Sequence, residues 1–282
     1  MKIAELLKEK VSYSFEFFPP KTEAASSELE KQVGELADLK PSYVSVTCGA
    51  GGSTRNRTEE LVLKLNQELG IPAVPHLTCV GQTRSDLRTS IEQYRDSGVK
   101  NILALRGDPP KGESAFIPPK DGLSYAAELV SLIREIGDFG IGVAGYPEGH
   151  PETSDKLKDL DYLKQKVDAG ADLIITQLFF DNRDFYDFKE RCEIVGINVP
   201  IIAGIMPILS RKGVERMCGM CGSRVPADLL KKIYNAPNDD LRKIGVDWAV
   251  EQCVDLLKNK VDGIHFYTLN KSQATRHIFE QL

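Results

Sequence analysis

Near the start of this sequence a glutamate is embedded in an aromatic run, Ser14-Phe15-Glu16-Phe17-Phe18-Pro19-Pro20. A carboxylate among phenylalanines is costly to desolvate unless it has a partner or a reaction to perform. On a strand, two-residue alternation places Glu16 on the face opposite Phe15 and Phe17. Apolar neighbours would raise its pKa toward the range of a general acid, whereas pairing with an Arg or Lys would make it structural.

Other polar groups follow apolar runs in the same way. Thr47-Cys48-Gly49-Ala50-Gly51-Gly52-Ser53 imitates a dinucleotide turn, but Thr54 holds the third glycine position. No acidic residue closes the next strand at Thr78-Cys79-Val80, so this segment reads as a loop that meets a ligand through its backbone. His76 lies in that next run, and Arg106-Gly107-Asp108 ends another, with opposite charges around a residue that permits close approach. That triplet could equally form a local salt bridge. Tyr146-Pro147-Glu148-Gly149-His150-Pro151-Glu152 reads as a shaped loop. Gln177, set in Thr176-Gln177-Leu178-Phe179-Phe180, needs hydrogen bonds, from a heterocycle edge or from neighbouring strands.

Metal and thiol chemistry find less support. Cys218-Gly219-Met220-Cys221 is a lone pair of cysteines with no second pair and no spaced histidine, so no metal site is expected. His265 reads as a satisfied core histidine and His277 as a surface residue.

Elements must bring these groups together. Eight short runs rich in Val, Ile, Phe and Tyr read as strands covered on both faces: 13–18, 43–48, 74–80, 102–106, 141–146, 173–180, 201–206 and 264–269. Between them lie helical spacings such as Leu29/Val33/Leu36, Leu87/Ile91/Tyr94 and Leu157/Leu160/Leu163/Val167. Gly70, Gly98, Gly140, Gly170, Gly196 and Gly263 stand at helix-to-strand junctions, where a helix end favours a residue tolerant of positive φ. The stretch 211–260 is long enough for two or three helices divided near Pro226 and Pro237. Strands alternating with helices imply a parallel sheet. Eight in one series favour a closed (β/α)₈ barrel over a doubly wound sheet, with catalytic groups at the C-terminal strand ends. The 282 residues, divided by eight, give about 35 per unit, so one barrel domain spanning 1–282 consumes the chain.

Composition agrees with a globular enzyme: 41% hydrophobic, 27% charged and a net charge of −5. The mild acidity and lack of basic runs argue against nucleic acid. No apolar stretch is long enough for a membrane span, the N-terminus lacks a signal-peptide core, and six unpatterned cysteines suggest a reduced, cytoplasmic setting.

In order along residues 13–271, the strand ends jointly resemble the methylenetetrahydrofolate reductase family. The matching segments are Ser14–Lys21, Val44–Ala50, Pro75–Cys79, Leu105–Asp108, Tyr146–Glu152, Lys166–Asp172, Ile175–Asp181 and His265–Asn270. The resemblance implies a barrel that binds FAD and works by ping-pong hydride transfer. NAD(P)H would reduce the flavin, and 5,10-methylenetetrahydrofolate would then accept the hydride and become 5-methyltetrahydrofolate, as in one-carbon and methionine metabolism. It assigns Glu16 as general acid for opening the folate ring, Asp108 as the carboxylate near flavin and pterin, and Gln177 as a pterin and nicotinamide contact. FAD contacts carry over onto Thr47, Cys48, Ala50, His76, Arg106, Gly107, Asp108, Tyr125, Ala126, Tyr146, His150, Asp159 and Lys166. Lys271 takes the place of a folate-tail contact, and Met217 that of a stacking aromatic. A homo-oligomer and an electron-transfer partner are further expectations. A flavin-free pterin methyltransferase and a non-catalytic binding subunit would share the same fold.

Overall fold

The computed structural model describes all residues except 21, 50, 51, 53, 110, 111, 113–115 and 154; the side chain of Asn238 is likewise left aside. The strands are β1 (Ser12–Phe17), β2 (Tyr43–Val46), β3 (Ala73–Thr78), β4 (Asn101–Leu105), β5 (Gly140–Gly145), β6 (Leu173–Thr176), β7 (Ile201–Ile205) and β8 (Gly263–Tyr267). They are parallel and close in sequence order into a barrel, β8 returning to β1. Closure rules out the doubly wound alternative.

Period-two alternation divides each strand between two environments. Phe15, Phe17, Val44, Val46, Ile102, Ala104, Ile264 and Phe266 face the surrounding helices in the main core. Among these helices are α2 (Glu23–Ala37), α3 (Arg55–Gln67), α4 (Arg84–Asp96), α5 (Ala126–Ile136), α6 (Lys156–Asp168) and α7 (Asn182–Ile194). Leu29, Val33 and Leu36 of α2 and Leu87, Ile91 and Tyr94 of α4 are buried, as their spacing requires.

The inner face is itself divided. Tyr43, Val74, Leu103, Leu173, Ile175 and Ile202 form a separate apolar cluster with Ile3 of α1 (Ile3–Leu6). The Ile3 amide donates to Asn101 Oδ1 at 2.8 Å, and Lys2 pairs with Asp138. The short helix is thereby fixed at the N-terminal foot of the barrel. Around β1, β2 and β8 the inner face is instead polar, with Ser12, Ser14, Glu16, Ser45 and His265 all buried.

After β7 the chain forms α8 (Arg211–Cys221), α9 (Ala227–Asn235), a 3₁₀ turn and α10 (Leu241–Lys258), breaking at the two prolines; α11 (Ser272–Phe279) follows β8. Three readings of the sequence change. The 173–180 run is strand only to Thr176, so Gln177 begins the loop. Leu157 lies in the first turn of α6, beyond the core, and is 72% exposed. Gly140 and Gly263 open strands and do not adopt positive φ. Glycine is needed there because a Cβ would come within 2.3 Å of Asn101 Oδ1 and 2.1 Å of Ser12 Oγ, respectively.

Candidate active site

Glu16 occupies the last inward position of β1, in register with Ser45 of β2 and Tyr267 of β8. It is 6% exposed. Its Oε2 lies 3.7 Å from His76 Nε2 and 3.9 Å from His265 Nε2. Among the described residues no Arg or Lys pairs with it, so the structural alternative of a cationic partner does not apply.

The histidines differ in what holds them. His265 Nδ1 is 2.7 Å from Ser14 Oγ, its Nε2 is 3.5 Å from Ser45 Oγ, and its ring stacks on Tyr43. It is the satisfied core histidine expected, yet it also borders the carboxylate. His76 Nε2 is buried without a hydrogen bond. Burial lowers the His76 pKa to about 4, outweighing the opposing pull of Glu16, so its ring is neutral at pH 7.

Tyr267 completes this end of the mouth. Its hydroxyl donates to the Thr176 carbonyl at 2.7 Å, across β7, where Gly204 leaves room. A Cβ on Gly204 would meet that carbonyl at 2.2 Å and the Tyr267 ring at 2.7 Å. Neither His265 nor Tyr267 stood out as functional in the sequence, although both take the inward phase of β8 beside β1. Thr47, just beyond β2, is buried with an unpaired Oγ1. Gln177 donates its amide to the Gly145 carbonyl at 2.7 Å and accepts from the Leu178 amide through Oε1.

A second group of residues lines the mouth after β4 and β5. Arg106 forms a two-pronged pair with Glu152, both contacts at 2.7 Å, and its guanidinium lies 5.3 Å from the Phe116 ring centre. The local Arg106–Asp108 salt bridge considered from sequence is therefore replaced by a partner from the next loop. Gly107 adopts φ +87°, and a Cβ there would strike Val80 Cγ1 at 2.6 Å. The Glu152 amide donates to His150 Nδ1 at 3.1 Å, and the His150 ring packs edge-on against Tyr146. The His150 amide donates to Asp159 Oδ2 at 3.2 Å.

Asp155 caps α6 by accepting from the Leu157 and Lys158 amides. Asp159 and Lys166, two turns apart, then share one helix face and line a small cavity with Tyr146, Ala144 and Arg191. The Lys166 ammonium donates to the Ala144 carbonyl at 2.6 Å. Burial lowers its pKa to about 8 against the pull of Asp159, while burial raises that of Asp159.

The remaining assignments are peripheral. Asp108 and Lys271 are exposed, Ala126 opens α5, and Ala50 lies outside the described residues. Tyr125 is 55% exposed and stacks on Tyr162 at 6.0 Å. Cys48 is half-buried near Thr78. Met217, Cys218 and Cys221 on α8 pack with Tyr267 against a cluster that includes Met206 and Leu178. The helix therefore lies at the mouth on the β6–β8 side.

Comparison with known proteins fits this arrangement. The methylenetetrahydrofolate reductase family matches residues 2–282. Methylenetetrahydrofolate reductase (NADH) 1 of Arabidopsis thaliana is 39% identical over the whole chain, which spans 51% of that protein. 5,10-Methylenetetrahydrofolate reductase of Salmonella typhimurium is 40% identical over 96% of the chain and 90% of its own length. The chain thus spans about half of the plant relative and most of the bacterial one. Among solved structures, a Clostridium thermocellum protein described as binding two copies of 5-methyl-5,6,7,8-tetrahydrofolic acid has the same fold. Its TM-score is 0.69 at 17% identity, covering 98% of this chain and 95% of that one. A 2,3-dimethylmalate lyase follows at 0.56 and 9%, covering 99% and 84%. This chain belongs to the methylenetetrahydrofolate reductase family.

Proposed function

We propose that this chain reduces 5,10-methylenetetrahydrofolate to 5-methyltetrahydrofolate by ping-pong hydride transfer from NAD(P)H through FAD. The observation that carries this reading is Glu16, a buried carboxyl at the barrel mouth that no Arg or Lys pairs with among the described residues. The folate amine leaves poorly unless protonated, so ring opening to the iminium needs an acid held beside it. Glu16 supplies that proton, and His265, anchored by Ser14, packs beside the carboxyl.

The polar groups lining the mouth fit a flavin dinucleotide. Thr47 Oγ1 and His76 Nε2 are buried and unpaired, and Lys166 is a half-buried cation that meets the Ala144 carbonyl and faces the Asp159 carboxylate. Such groups suit the polar ring edge and the phosphates of that cofactor. FAD, when bound, would supply the hydride-carrying chemistry that links the nicotinamide to folate. Arg106, Gly107, Asp108, Tyr125, Ala126, Tyr146, His150 and Cys48 are the further residues that would hold it. Gln177 and Lys271 would meet folate on this reading.

The decisive measurement is absorbance of the purified protein followed by anaerobic stopped-flow mixing. A yellow protein that is bleached by NADH or NADPH and recovers colour on adding methylenetetrahydrofolate is expected. Protein that never takes up flavin would overturn the proposal.

A further inference from the structure

We propose that Arg224 is a positioning residue: it clamps the C-terminal end of α8 to the loops after β5 and β6 and so sets the wall that the second substrate meets. The assignment rests on the reductase reading for the identity of that substrate, but the clamp stands on geometry alone.

Immediately after Cys221, Gly222 adopts a left-handed conformation and turns the chain, packing against Pro151 of the β5 loop. Three successive anchors follow. Ser223 Oγ donates to the Leu178 carbonyl at 2.7 Å. The Arg224 amide donates to Glu148 Oε1 at 2.9 Å. The Arg224 guanidinium reaches Asp181 Oδ2 and Asp184 Oδ2, each at 2.9 Å. Glu148 belongs to the loop carrying His150 and Glu152, while Asp181 and Asp184 follow Gln177 at the start of α7.

One arginine therefore meets three carboxylates from two mouth loops. Its partners are well buried, with side-chain exposures of 13% for Glu148, 9% for Asp181 and 22% for Asp184. Asp181 is held down to about pH 2 by Arg183 and, secondarily, by Arg224, so it stays charged. Both aspartates are met by the same guanidinium nitrogen, Nη2, so one group ties the two carboxylates together. The opposite end of α8 is capped by Ser210, whose side chain accepts from Gly213. Between these ends the inner face presents Met217, Cys218 and Cys221 toward Tyr267 and the strand ends. Cys221 lies close enough to Asp108 and Glu16 for both carboxylates to disfavour its thiolate. Motion at Arg224 would thus be felt within the site.

The two half-buried α8 cysteines report on the clamp directly. In the full chain, maleimide labelling followed by peptide mass mapping should show Cys221 reacting about tenfold faster in Arg224→Ala. Cys48, on the far side of the mouth, serves as the internal reference and should be unchanged. Arg224→Lys should fall between Arg224→Ala and the parent. Asp184→Asn should give a rise of about threefold, carrying the test should Arg224→Ala fail to fold. On the proposed reaction, Arg224→Ala should raise KM for methylenetetrahydrofolate about tenfold and leave flavin reduction within about twofold. Unchanged Cys221 labelling in both variants would overturn the clamp. Faster labelling with an unchanged folate KM, or equal losses in both half-reactions, would overturn its link to the substrate. A parent protein that takes up no flavin would count against the reaction alone, since the labelling ratio needs no cofactor.

Discussion

The two ends of the barrel mouth hold charge in opposite ways. At the β1–β8 end, Glu16 is buried beside His76 and His265, and the imidazole of His76 is kept neutral by its own burial. At the β5–α6 end, Lys166 is half-buried beside Asp159 and a carbonyl. The first arrangement leaves a buried carboxyl with no Arg or Lys partner among the described residues. The second sets a cation beside a carboxylate that only partly restores its pKa, which suits an anion that can complete the pairing. On the proposed reaction the difference separates two jobs, proton transfer at one end and holding of a charged ligand at the other.

That division can be broken at either end. The largest effect belongs to Glu16→Gln, which keeps shape and hydrogen bonding but removes the proton. Stopped-flow traces should show flavin reduction by NAD(P)H spared, while reoxidation by methylenetetrahydrofolate slows by about 10²–10⁴-fold. Equal loss in both halves would show that Glu16 only supports the barrel. At the other end, Lys166→Met should weaken FAD binding by about 10–100-fold in equilibrium titration. The folate half-reaction of the loaded protein should stay near that of the parent; a slowed one would merge the two ends into a single unit.

The smallest effect is a pH dependence at the cationic end alone. The free-protein pKa of Lys166 is lowered to about 8, so the ammonium is lost as pH rises through that value. An anionic ligand favours the protonated form, raising the pKa in the complex. Affinity for FAD should therefore fall as pH rises above 8, by a few-fold between about pH 7 and 9. Lys166→Met should flatten that slope, and a slope that survives the substitution would assign it elsewhere.

Much of this architecture can be read from residue order because buried parallel strands need continuous apolar runs and helices need 3.6-residue spacing. The position of Glu16 opposite Phe15 and Phe17 follows from alternation alone. What escapes is pairing across the barrel. Nothing in the local sequence links Arg106 to Glu152, or His265 to Ser14, because barrel closure brings β8 beside β1. The glycines at 140 and 263 mislead for a related reason: both are required by side chains on neighbouring strands, not by a helix end. The role of Arg224 is hidden likewise, since its carboxylates lie 40 or more positions upstream.

The α1 stopper at the foot of the barrel has a kinetic consequence. With Ile3 seated among Val74, Leu103 and Ile202, side chains fill the foot of the barrel, so on the proposed reaction both substrates would use the same mouth. On the proposed reaction, each substrate at high concentration occupies the enzyme form meant for the other. Turnover should then pass through a maximum as either is raised, and each should relieve the inhibition caused by its rival.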